Sequence, residues 1–159
     1  MDVKEDPSTD PAELPLRRFL TYRLNRLQAR LNAQASRYLA EHGGITLSEW
    51  RAIALVGNFG QTTLTEISRE SQIDKGLLSR TLKTLIERGL VEGRQDDQDN
   101  RVQRLRLTAE GAGLHSRMLP RMRARQRFLQ GTLTSAEFEA LLSAIDKLDA
   151  AAEVTEFKL

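Results

Sequence analysis

The sequence predicts a mostly α chain with one β hairpin, six helices in all, with a small antiparallel unit of two or three strands between the fourth and fifth. Three observations predict it. Apolar residues recur three and four apart over residues 14–41 and again over residues 135–153. A hydroxyl residue followed three positions later by Glu opens a helix at Thr46, Thr63 and Thr134. Two strand-like runs flank a polar stretch at residues 95–100. With 159 residues and 40% apolar content, the chain can bury one core and still carry helical arms.

The first thirteen residues are polar and acidic, with Pro7 and Pro11, and are expected to form a loose tail. Such a start lacks the basic and apolar regions of a signal peptide, and no apolar run reaches membrane-spanning length, so a cytoplasmic protein is expected. The first helix, residues 14–41, places Leu16, Leu20, Leu24, Leu27, Leu31, Ala35 and Tyr38 on one face. That face is too long for one small core, which predicts a partner along part of it. The helix stops at Gly43 and Gly44.

Thr46 and Glu49 form a capping box for the second helix, which runs to about Asn58, with Ile45 and Trp50 as its hydrophobic staple. Thr63 and Glu66 open a short third helix ending near Glu70. Asp74 caps a fourth helix from Lys75 to about Arg88, closed by Gly89. Residues 90–94 and 101–107 read as strands, the second alternating Arg104 and Arg106 against Leu105 and Leu107. Thr108 caps a long fifth helix to about Gln130, in which Pro120 predicts a bend. The sixth helix starts at Ser135 and carries Phe138, Leu141, Leu142, Ile145 and Leu148 on one stripe.

Helix, turn, helix and hairpin in that order predict a winged helix, whose second helix lies in a DNA major groove while the hairpin follows the backbone. On the fourth helix, Leu78, Leu82, Leu85 and Ile86 are expected in the core. That leaves Lys75, Gly76, Ser79, Arg80 and Lys83 outward with no acid before Glu87. Arg80 and Ser79 suit base edges, while Lys75 and Lys83 suit phosphates. Gly76 lets the helix end approach a phosphate, and Thr63 joins the DNA-facing set at the start of the third helix. In the hairpin, Asp99 is expected to orient Arg101 for a minor groove, offsetting an acidic tip that phosphate would repel.

Over residues 14–155, nearly its whole length, the chain resembles the MarR family of bacterial transcription regulators. The resemblance rests on ITLSEWRAI, on LTEISRESQIDKGLLSRTLKTLIERGLVE and on the wing pattern of Asp96, Asp99, Arg101, Leu107, Thr108 and Gly111. Asn100 stands where the family often has a first wing Arg. The resemblance implies a winged helix over residues 45–108 and a homodimer built from residues 14–41 and 109–159. It also implies a pseudo-palindromic operator, repression, and release by a small aromatic or phenolic carboxylate. Trp50 and Arg51, with Tyr22, Arg23 and Arg30, are the candidates for that ligand, since an aromatic wall beside a guanidinium suits an aromatic carboxylate.

The alternative is a ligand-independent architectural DNA-binding protein. Enzyme chemistry is poorly supplied. There is no Cys and no phosphate-cradling glycine loop, and His42 and His115 stand apart from any nucleophile motif. No cofactor, metal or membrane partner is expected.

Overall fold

The computed structural model describes residues 15–71, 73–96 and 102–155. The chain divides into two compact units, one ending at His115 and one beginning at Ser116.

In the first unit a 3-10 turn, Leu16–Arg18, precedes α1, Leu20–Gly43. Helix α1 therefore begins later than the periodicity predicts, because Pro15 and the extended Phe19 hold the backbone outside helical space. It ends with Gly44 at φ +62°, a left-handed conformation that glycine adopts without Cβ strain. The capping box of α2, Leu47–Phe59, is complete: the Glu49 amide donates to Thr46 Oγ1 at 3.2 Å, and the Thr46 amide donates to Glu49 Oε2 at 2.7 Å. Strand β1, Thr62–Thr63, leads into α3, Leu64–Ser71, and then α4, Lys75–Glu87.

Strands β2, Val91–Gln95, and β3, Gln103–Leu107, form the hairpin, and β1 adds on the other side of β3, giving the order β1-β3-β2. All pairings are antiparallel, with Gly93 opposite Leu105 and Arg94 opposite Arg104. The third strand is only two residues long and has no alternation of its own, so its partner decides it.

The core joins Leu39, Ile53, Val56, Ile67, Leu78, Leu85, Val91 and Leu105, each almost fully excluded from solvent. Burying side chains of this size stabilises by about 1.5–3 kcal/mol each before entropy is counted. Ile86 departs from expectation: it is 37% exposed, and Thr81 takes the buried position on α4, its hydroxyl donating to the Leu77 carbonyl at 2.9 Å. At 100° per residue Thr81 and Ile86 flank the arc of Leu78, Leu82 and Leu85 on opposite sides at nearly equal distance, so the packing around α4 and not its spacing chooses which is buried.

The start of α5, Ala109–Gln130, is anchored at the hairpin. Thr108 Oγ1 donates to the Gly89 carbonyl at 2.6 Å and accepts from the Gly111 amide at 3.1 Å. A Cβ on Gly111 would stand 1.9 Å from the Leu90 carbonyl oxygen, so only glycine fits there. His115 stacks on Trp50 with ring centroids 5.8 Å apart.

In the second unit α5 continues through Pro120 to Gln130 as one helix. A tight turn follows, the Gly131 amide bonding to the Arg127 carbonyl at 2.8 Å. Helix α6, Ser135–Ala152, opens on the expected box of Thr134 and Glu137 and has no buried residue.

Candidate nucleic-acid interface

The site is built on the α3–turn–α4 pair. Thr63 and Glu66 satisfy each other's amides at the start of α3, at 2.8 and 3.2 Å, and the Thr62 hydroxyl donates to the same carboxylate at 3.0 Å. These donors hold the Glu66 carboxyl below its ordinary range, the Thr62 hydroxyl first and the Thr63 amide next. The turn is closed by Ser68 Oγ donating to the Ile73 carbonyl and by the Ile73 amide donating to Ser71 Oγ, each at 3.3 Å. Asp74 then caps α4, accepting from the Leu77 amide at 2.8 Å.

With the turn fixed and Leu78, Thr81, Leu82 and Leu85 buried, α4 presents Gly76, Ser79, Arg80 and Lys83 on its exposed side; Lys75, expected on that side too, instead lies in line with Leu82 seven residues on and is exposed because it opens the helix. A Cβ on Gly76 would stand 3.2 Å from Asp74 Oδ1 and 3.6 Å from Arg80 Nη1. Glycine therefore leaves room for the cap carboxylate and the guanidinium over the first turn. Lys83 lies 3.9 Å from Glu87, an exposed pair that leaves the ammonium available to a phosphate. Thr63 is half-buried at the end of β1, opposite Arg104 and just before α3. Asp99 and Arg101 lie outside the described residues.

The sheet carries a charged face that the sequence reading did not assign. Arg94, Arg104 and Arg106 share the side of the hairpin opposite Leu105, and the first two are directly across from each other. Like charges so placed repel. Asp96 relieves this by accepting from Arg104 Nε at 2.6 Å, while Glu92 takes Arg106 and lies 3.8 Å from Arg94. The bond to Asp96 raises the Arg104 pKa further. The three guanidiniums line a polar cleft of about 240 Å³ with Gln61 and Asp96, and Glu66 adds a third carboxylate that interacts electrostatically with Arg104. Arginine alternation along β3 was visible in the sequence; the cross-strand partner Arg94 was not.

Of the ligand candidates, the structure brings Trp50 and Arg51 to one cleft of about 670 Å³, together with Gln28, Ile73, Asp74 and Leu77. Tyr22, Arg23 and Arg30 do not line it; the Tyr22 ring instead meets the Arg26 guanidinium at 5.7 Å. Trp50 is mostly buried, and Arg51 Nη2 donates to Asn32 Oδ1 at 3.0 Å. Among the described residues no helix is long and apolar enough to cross a membrane, and no group of three His, Cys, Asp or Glu could hold a metal ion.

A family model described as MarR family matches residues 43–101. A transcriptional regulator of the MarR family from Silicibacter pomeroyi, solved by crystallography, is 31% identical. The similarity covers 93% of this chain and 99% of that one, with a TM-score of 0.68. The Staphylococcus aureus MepR–DNA complex shares the fold at 19% identity, with a TM-score of 0.77 over 84% of this chain and 98% of that one. An uncharacterised HTH-type transcriptional regulator of Bacillus subtilis, YdgJ, is 27% identical over 66% of this chain, which spans 62% of that regulator's length.

Proposed function

The chain belongs to the MarR family of transcription regulators, and we propose that it acts as a homodimeric repressor that reads a pseudo-palindromic operator in duplex DNA. The observation that carries this is the exposed face of α4. Buried Leu78, Leu82 and Leu85 turn Ser79, Arg80 and Lys83 outward together, and Lys75 is exposed at the helix start, which Asp74 fixes. Arg80 and Ser79 read base edges, Lys75 and Lys83 hold phosphates, and Gly76 and Thr63 border the contact. Asp99 and Arg101 are assigned to the minor groove.

The dimer reading is supported by the uncovered apolar stripes. On α6, Leu141, Leu142, Ile145 and Leu148 are 37–46% exposed, and on α1 Leu20, Leu24 and Leu27 are 43–53% exposed. Surfaces of this kind mark an interface. The activity is binding rather than catalysis, and its place is the cytoplasm, where the operator lies.

Release by a small aromatic or phenolic carboxylate is assigned to the cleft at Trp50 and Arg51, which reaches Asp74 and Leu77 at the start of α4. The carboxylate of Asp74 in the same wall opposes an anion, so the ring is expected to face Asp74 and the charge to face Arg51. Trp50 is the single tryptophan, and its emission reports on occupancy. Titration with a hydroxybenzoate is expected to change that emission and weaken DNA binding together. Unchanged emission and DNA affinity at millimolar concentration would remove the ligand and leave the DNA reading intact.

The test of the main reading is selection from a random duplex library at about 0.15 M salt. A palindromic consensus with half-sites about ten base pairs apart is the expected result. Enrichment without a consensus would favour the architectural alternative, and no enrichment would overturn DNA binding.

A further inference from the structure

The far end of α4 is tied as firmly as its start. Arg88, the C-cap residue of α4, donates from Nη1 to Glu49 Oε1 at 2.6 Å and from Nη2 to the Gly44 carbonyl at 3.2 Å. Gly44 caps α1, and Glu49 sits in the first turn of α2, so one guanidinium holds both sides of the α1–α2 corner. The Glu49 side chain is 9% exposed, and its other oxygen already accepts the Thr46 amide. Burial would raise this carboxyl, but the Thr46 amide and Arg88 together hold it below its ordinary value, so it meets Arg88 as an anion.

Helix α1 leaves this corner with its exposed apolar residues at the opposite end. Its 24 residues make a lever of about 36 Å at 1.5 Å per residue. A rotation of about 5° at the corner moves the far end by about 3 Å, close to one base-pair step of about 3.4 Å.

We propose that Arg88 is a positioning residue that fixes the reading helix against the α1 arm, and thereby sets the half-site spacing the dimer accepts. The inference rests on the reading of the protein as a dimeric DNA-binding regulator. Arg88 touches no DNA in this role. A planar two-nitrogen fork is needed to reach both acceptors at once, which a lysine ammonium cannot reproduce in the same geometry.

The test uses the full chain and the selected operator, with half-site spacing varied by one and two base pairs. The unaltered protein is expected to prefer one spacing by about tenfold, and Arg88→Met to reduce that preference to about threefold or less, with Arg88→Lys between them. Glu49→Gln, which keeps an acceptor but not the charge, is expected to follow Arg88→Lys. A variant that lowers affinity equally at every spacing would mark Arg88 as merely structural and overturn the proposal.

A second readout needs no DNA. The chain has no cysteine, so a spin label at Thr84→Cys reports the distance between the two α4 helices of a dimer. Broadening of that distance in Arg88→Met is expected, and an unchanged distribution overturns the link even if the DNA reading has failed on its own. If Arg88→Met does not fold, Arg88→Lys and Glu49→Gln decide by the same two measurements.

Discussion

The segment from Ala35 to Met118 and the helix α6 are both apolar along one face, yet only the first has covered it. Among the described residues every buried hydrophobic side chain lies from Ala35 to Met118, whereas α6 buries none. The difference lies in what the chain folds back upon. Helices α2, α3 and α4 and the sheet surround one another, so Ile53, Leu85 and Leu105 find neighbours within the same unit. The stripe on α6 and the first half of α1 keep their Leu and Ile side chains exposed, at a cost that a second copy of the chain would relieve.

The largest effects are expected in the unit ending at His115, the head of the molecule. Ile53→Ala removes a fully buried side chain and is expected to cost about 2–5 kcal/mol, and Gly111→Ala, which drives a Cβ onto the Leu90 carbonyl, about 3 kcal/mol. Both are read from denaturant unfolding. The matching change in the arm, Leu141→Glu with Ile145→Glu, is expected to shift sedimentation from dimer to monomer while leaving the stack of Trp50 on His115, and so the near-ultraviolet circular dichroism, unchanged. Loss of the head fold in that variant would mean the two regions are not independent.

On the surface of α4, Arg80→Ala is expected to cost about 1–3 kcal/mol in operator binding and to relax one base position. Lys83→Ala should instead weaken every duplex alike and reduce the salt slope by about one. Identical behaviour of the two variants in a binding selection would erase the division between base and phosphate contacts.

The two capping boxes at Thr46 and Thr134 are expected to give the smallest effects. Thr134→Ala removes an exposed cap from α6 and is expected to cost about 1 kcal/mol. In the head, Glu49 has a lowered pKa, so its stabilising contribution is complete above its ordinary value near 4.5 and is lost as pH falls through the lower native value. Glu49→Gln is therefore expected to flatten the acid limb of the stability profile. Glu137→Gln, on an exposed helix start, should change it less.

The sequence by itself determined the helix starts. Thr46, Thr63, Asp74 and Thr134 each find their partner three residues along the chain, and such bonds close wherever the local helix forms. It determined most of the exposed set on α4 for the same reason, since helical spacing divides Leu78, Leu82 and Leu85 from Gly76, Ser79, Arg80 and Lys83, whereas Lys75, seven residues before Leu82, is exposed because it opens the helix. Only the tertiary structure decided the rest. Arg88 meets Glu49 across 39 positions, Arg94 faces Arg104 across a hairpin, and β1 exists because β3 accepts it. Ile86 is left at the margin while Thr81 is buried, and Trp50 and Arg51 share a cleft that Tyr22, Arg23 and Arg30 do not reach. These depend on the path of the folded chain, which brings together residues whose pairing no local spacing specifies.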